Sequence, residues 1–178
     1  MGKLSIVSKL LIILALIFAI FLFIFVLYLK NNYIVAIQST ITMNPTFELG
    51  SRHLFRRKGE LNNLSYGDIV LINEIDYFAG RSVPIIRRVW GLPGDIVSIN
   101  NGVVLINGSL PNDLTLRKIL KSWDEDDLSN SSYQFVDVVL GDSEVFVLAD
   151  HLSNAIDSRR FGPVSFREIK GRWVSEVR

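Results

Sequence analysis

Leu10 to Leu29 reads LLIILALIFAIFLFIFVLYL, twenty residues without one charge or strongly polar group. At about 1.5 Å per residue, a helix of that length covers the roughly 30 Å hydrocarbon core of a bilayer. Apolar side chains fall on every face, so a water-soluble fold would have to bury the helix completely. A cleaved leader has an apolar region of only about 7–15 residues, ended by a small-residue site. This stretch is longer, and the KNNYIVAIQ that follows contains no Ala-x-Ala step. The chain is therefore expected to keep one transmembrane anchor over 10–29, between a short N-terminal segment (1–9) and a large domain (30–178). Lys3, Lys9 and the terminal amine precede the anchor, and only Lys30 follows it directly. That bias predicts a cytoplasmic N-terminus and an extracytoplasmic domain, with membrane lipid as the partner of the anchor.

Dividing the chain at Lys30 changes what its charge says. The whole sequence holds 19 basic and 18 acidic side chains for a net charge of +1. Residues 1–30 contain three lysines and no acid, so the remainder carries 16 basic against 18 acidic side chains, a net −2. A domain so balanced lacks the basic excess that grips phosphates, which excludes nucleic acid as a partner. The absence of cysteine excludes a disulfide scaffold, a thiolate zinc site and a cysteine nucleophile. His53 and His151 are the only histidines, too few for an imidazole metal site, and neither a metal nor another cofactor is expected. Any catalysis must come mainly from hydroxyls, carboxylates or amines.

From Asn31 onward the texture is that of a β protein. Short runs rich in Val and Ile alternate with Gly, Asn, Asp and Pro, and Gly67–Asn73, Gly94–Asn100, Val103–Gly108, Glu144–Asp150 and Gly171–Val177 read as strands with their turns. Asn101-Gly102 separates two such runs, and both residues tolerate the positive φ of a type I′ hairpin turn. The two Gly-Asp-Ile-Val segments, at Gly67 and Gly94, are expected to share turn chemistry by chance rather than to mark a duplication. Residues 109–140 break the pattern with polar clusters and the acidic run Trp123-Asp124-Glu125-Asp126-Asp127-Leu128, and read as a variable, solvated, partly helical insertion.

Three ordered segments carry more specific information. Ser39-Thr40-Ile41-Thr42-Met43-Asn44-Pro45-Thr46-Phe47 lies just beyond the anchor, and Arg87-Arg88-Val89-Trp90-Gly91-Leu92-Pro93-Gly94-Asp95 follows in mid-chain. Ala149-Asp150-His151-Leu152-Ser153-Asn154-Ala155-Ile156-Asp157-Ser158-Arg159-Arg160-Phe161-Gly162 comes third, with Ile169-Lys170-Gly171-Arg172 downstream. Together they resemble the signal peptidase I family of membrane-anchored serine endopeptidases. The first is similar to that family's Ser-Met-x-Pro-Thr box, which a second hydroxyl residue precedes by two positions. The second is similar to Lys-Arg-x-x-Gly-Leu-Pro-Gly-Asp. The third is similar to Gly-Asp-Asn-x-x-Asn-Ser-x-Asp-Ser-Arg-x-Phe-Gly.

The resemblance covers nearly the whole chain and implies a mainly β fold, a coiled β-sheet domain behind one N-terminal transmembrane helix. It also implies a Ser nucleophile with a Lys general base, and secretory preproteins or other exported polypeptides as partners. Both catalytic positions depart from the family: Thr42 aligns with the nucleophile and Arg87 with the base. Threonine keeps a hydroxyl, although its extra methyl stiffens χ1 and crowds the attack path. Arginine, with a reference pKa of about 12.5–13.8, would need roughly 7–9 kcal/mol to be neutral at pH 7. A lysine starts near 10.4, and burial shifts such a group by up to about 3–5 units. The family's serine that orients the lysine amine aligns with Ala155.

By the same resemblance the Thr40 hydroxyl and the Thr42 backbone N–H stand at the oxyanion positions. Asp150, Asp157, Ser158 and Arg159 match the supporting wall. Met43, Pro45 and Thr46 are expected to shape the loop and seat it at the membrane. The expected function is recognition of exported segments with peptide cleavage weak or lost. The alternative is an active signal peptidase using Thr42, with His151 as the one nearby imidazole that could replace the missing base.

Overall fold

Helix α1 spans Ile6–Asn32 and overruns the apolar stretch at both ends. Ser5 caps its N-terminus by accepting the Ser8 N–H at 3.2 Å, and Lys30 lies in the last turn, where a cation meets the unsatisfied carbonyls. None of its residues is buried, and it is long and apolar enough to cross a membrane. The computed structural model describes residues 5–57, 63–76, 81–100, 103–123, 135–152 and 155–177. They form two units that meet in sequence between Tyr33 and Ile34.

Beyond α1 the strands are β1 (Tyr33–Ile37), whose first residue closes the first unit, then β2 (Arg52–Arg57), β3 (Ile69–Asp76), β4 (Arg81–Gly91), β5 (Ile96–Asn100), β6 (Val103–Ile106), β7 (Phe135–Val139), β8 (Glu144–Leu148), β9 (Val164–Ser165) and β10 (Ile169–Val177). Two short helices, α2 (Leu114–Ser122) and α3 (Ser158–Phe161), complete the described elements. Seven strands form one sheet in the order β1-β2-β10-β3-β4-β8-β9, and three form another in the order β6-β5-β7. The expected mainly β fold behind an apolar helix is therefore the observed one.

The continuous apolar runs belong to strands buried on both faces. In β3, Ile69 and Leu71 enter one cluster with Met43, Phe47, Phe55 and Ile86, while Val70 and Ile72 enter a second with Val89, Val145, Val147 and Ile169. In β8 the alternation repeats: Val145 and Val147 join that second cluster, whereas Phe146 and Leu148 join a third around Trp90 and Trp123. A period of two thus sorts neighbouring residues into different cores. β10 reads in the sequence as a closing strand, yet it sits inside the sheet, antiparallel to both β2 and β3.

Two local expectations gain a physical cause. Gly67 and Gly94 both have positive φ, at 81° and 84°, and in each case the next aspartate reaches back three residues. Asp68 Oδ2 accepts the Ser65 N–H and Asp95 Oδ2 the Leu92 N–H, both at 2.7 Å. The repeated Gly-Asp-Ile-Val is one turn solution used twice. β5 and β6 pair with Asn100 opposite Val103, as a two-residue hairpin requires, although Asn101 and Gly102 themselves lie outside the described residues.

The 109–140 segment is only in part what its polarity suggests. Asp113 caps α2 by accepting the N–H groups of Thr115 at 2.8 Å and Leu116 at 3.0 Å. Leu116, Ile119, Trp123 and Leu140 are buried in the third cluster, so the segment contributes core as well as surface. The acidic run after Trp123 lies outside the described residues.

Candidate functional site

Between β1 and β2 the chain makes a loop that is closed at its base by backbone bonds. Gln38 N–H donates to Ser51 O at 2.9 Å, and Gly50 N–H donates to Gln38 O at 2.7 Å. A 3-10 turn over Ile41–Met43 carries Thr42. Its anchor is Met43, which is fully buried beside Phe47 and Phe55 rather than turned outward to seat the loop at a membrane. Thr46 is likewise turned inward, its hydroxyl donating to Asp150 Oδ2 and accepting from Arg88 Nη2 at 3.1 Å. The loop is shaped by these residues, as the sequence suggests, but through the core.

Thr42 and Arg87 come together, as the resemblance implies. Thr42 is 8% exposed and Arg87 4%. The Arg87 Nη1 group donates to Thr42 Oγ1 at 3.2 Å and to Ile86 O at 2.5 Å, while Nε donates to Ile156 O at 2.8 Å. On its other side Thr42 Oγ1 shares a 2.8 Å hydrogen bond with Thr40 Oγ1. A guanidinium has donors and no acceptor, and it stays charged at neutral pH. It occupies a lone pair of the Thr42 oxygen and does not take its proton. Ile156, which holds the guanidinium, directly follows Ala155.

The wall residues form two buried ion pairs. Arg88 grips Asp150 with two bonds, Nε to Oδ1 at 2.8 Å and Nη2 to Oδ2 at 2.5 Å, and Nη1 donates to Gly67 O at 2.7 Å. Trp123 Nε1 donates to the Asp150 carbonyl at 2.8 Å. Asp157 caps α3 through the Arg159 N–H, accepts from Arg159 Nε and Nη2 at 2.9 Å each, and also takes the Ala149 N–H. Ser158 Oγ accepts the Val147 N–H at 2.9 Å, which ties α3 to β8. The wall meets the turn that carries Thr42 where the His151 N–H donates to Thr42 O at 3.0 Å. Ser153 and Asn154 of the third box lie outside the described residues.

Sequence reasoning missed Gln38, which has no motif signal, and the structural use of Arg88 and Thr46, which lie inside boxes already noticed. It also missed a chain of bonds at the foot of the loop. Trp173 Nε1, a donor only, points to His53 Nδ1 at 3.3 Å, so the neutral ring carries its proton on Nε2 and donates to Ser51 Oγ at 2.7 Å. Ser51 Oγ in turn donates to Glu48 O at 2.6 Å, and Phe47 stacks on the imidazole with centroids 3.6 Å apart. Burial holds the His53 pKa below 6.5, partly offset by the Glu176 carboxylate. A lowered folded-state pKa means that the unfolded chain binds the proton first, so this contribution to stability is present above pH 6.5 and is lost as pH falls through the folded value. His53→Phe is therefore expected to flatten the decline in stability between pH 7.5 and pH 5, measured by denaturant unfolding at each pH. Parallel declines in the native and variant proteins would refute the assignment.

Among the described residues, no group of three or more His, Asp or Glu side chains is placed to hold a metal ion. The chemistry on offer is that of hydroxyls, a fixed guanidinium and backbone donors.

The comparisons with known proteins agree with the motifs. The signal peptidase, peptidase S26 family matches residues 5–177. A signal peptidase I of Bacillus caldolyticus is 30% identical over 153 residues, covering 82% of this chain and 78% of that protein. A probable signal peptidase I-2 of Synechocystis sp. is 28% identical over 135 residues, and there the match takes in 74% of this chain and 56% of the relative. Among solved structures, a signal peptidase I from Enterococcus faecalis has 22% identity and a TM-score of 0.45, covering 61% of this chain and 95% of that one. With the family match running from the foot of the anchor to the last described strand, this chain belongs to the signal peptidase, peptidase S26 family.

Proposed function

We propose that this protein is a membrane-anchored signal peptidase homologue that holds exported segments, such as secretory signal peptides, with little or no cleavage. In this reading the N-terminus is cytoplasmic and the β domain lies outside, which the lysines ahead of the apolar helix support. The observation that carries the reading is the 3.2 Å hydrogen bond from Arg87 Nη1 to Thr42 Oγ1. A general base must accept the nucleophile's proton, and a group that is already donating to that oxygen opposes the transfer. Recognition has independent support. β1 lies at the end of the seven-stranded sheet, where an extended peptide can add its own backbone bonds. The Thr40 hydroxyl stands 2.8 Å from Thr42 Oγ1, where it can polarise a bound carbonyl. Asp150, Asp157, Ser158 and Arg159 hold the wall of the site without touching the substrate.

The test uses the purified full chain in detergent with a preprotein carrying its signal peptide. The expected result is an intact preprotein that co-purifies with the native chain and that Thr42→Ala also leaves uncleaved. Cleavage by the native chain that disappears in Thr42→Ala would overturn the reading and establish Thr42 as a working nucleophile.

A further inference from the structure

Gln38 is 3% exposed at the start of a loop whose neighbouring side chains Ile37 and Ile41 are more than half exposed. A buried amide is retained when its donors find partners, and the Gln38 amide directs two bonds at a single residue. Nε2 donates to Thr40 O at 2.7 Å and to Thr40 Oγ1 at 3.3 Å. The Gln38 backbone closes the base of the loop through Ser51 and Gly50. One residue thus holds the loop with its main chain and Thr40 with its side chain.

Proton counting gives this arrangement a consequence. The Thr40 and Thr42 hydroxyls have two protons between them, and the 2.8 Å bond that joins them uses one. Gln38 donates into the Thr40 oxygen from one end, and Arg87 donates into the Thr42 oxygen from the other. Neither flanking nitrogen accepts, so the second hydroxyl proton is turned away from both donors and out of the pair. We infer that Gln38 is a positioning residue that sets the Thr40–Thr42 hydroxyl pair as a net hydrogen-bond donor toward a substrate carbonyl. The inference rests on the recognition function proposed above and adds the element that orients it.

A double-substitution cycle in the full chain tests it, with a synthetic signal peptide ending in Ala-x-Ala as the probe. Gln38→Met keeps the side-chain volume and removes both donors, and it is expected to weaken peptide binding about tenfold, as loss of one oriented hydrogen bond does. Thr40→Val is expected to do the same. The two together should bind no more weakly than Thr40→Val alone, because Gln38 acts only through Thr40. Additive losses would overturn the inference and leave Gln38 a general loop brace. Gln38→Glu, which keeps the shape but presents an acceptor, is expected to behave like Gln38→Met, and binding at native strength in that variant would also overturn it. The side-chain amide of Gln38, followed by nitrogen-15 NMR in the native chain, should shift on Thr40→Val. If the native chain binds no peptide, the functional proposal fails on its own, and an amide signal indifferent to Thr40→Val would then refute the positioning role.

Discussion

Asp150→Ala is expected to cost about 3–5 kcal/mol of domain stability, the range for removing one partner of a buried ion pair. The carboxylate is 1% exposed and receives two guanidinium bonds and the Thr46 hydroxyl. Truncation leaves Arg88, itself 4% exposed, without the carboxylate it pairs with and in a place that water reaches poorly. Against a typical total of about 5–15 kcal/mol, such a loss consumes a large share of the margin. It also frees the Thr46 hydroxyl and loosens the loop that bears Thr42. Denaturant unfolding followed by the fluorescence of Trp90 and Trp123, which stack 5.1 Å apart in the core, gives the measurement. A loss under about 1 kcal/mol would place the pair among screened surface bridges and contradict its burial. Replacing both partners by apolar residues, as in Arg88→Met with Asp150→Leu, should cost less than Asp150→Ala, because no lone charge remains.

The second large effect concerns chemistry. Thr42→Ser combined with Arg87→Lys is expected to raise preprotein cleavage by at least about a hundredfold over the native chain, the lower range for supplying a general base. The ammonium would enter a site where the native guanidinium already lies 3.2 Å from the hydroxyl, so the reach is available. A lysine in that near-dry position can lose its proton near neutral pH, whereas the arginine cannot. Adding Ala155→Ser should raise the rate again by supplying a hydroxyl to orient the amine. Arg87→Lys alone should give less than the pair, since the Thr42 methyl still crowds the attack path. An inactive triple variant that still binds preprotein would mean that the scissile bond is not delivered to position 42, and the defect would lie in how the peptide is placed rather than in the two substituted residues.

Much of the site was legible because short motifs encode local contacts. Asp157-Ser158-Arg159 reads as a unit, and the structure uses it as one: cap, strand tie and ion pair within a few residues. The strands were legible where both faces are buried, because an unbroken run such as Ile69-Val70-Leu71-Ile72 has no other place to go. The polar look of 109–140 concealed core residues, because Leu116 and Ile119 face inward from a short helix that also carries Thr115, Arg117, Lys118, Lys121 and Ser122. Gln38 was invisible for a similar reason: an isolated glutamine beside a strand carries no pattern, and only its burial and its two bonds to Thr40 distinguish it.

The sequence by itself determined the apolar helix, the β character, the family boxes and the departures from them at Thr42 and Arg87, since each is written in contiguous residues. Tertiary structure alone decided where β10 enters the sheet, that Arg88 rather than Arg87 grips Asp150, and that Arg87 points its donors at the Thr42 oxygen. Those outcomes depend on groups brought together from distant parts of the chain. Adjacent arginines on one strand are equivalent in sequence, and they become different only when separate partners, a carboxylate for one and a hydroxyl with carbonyls for the other, are packed around them.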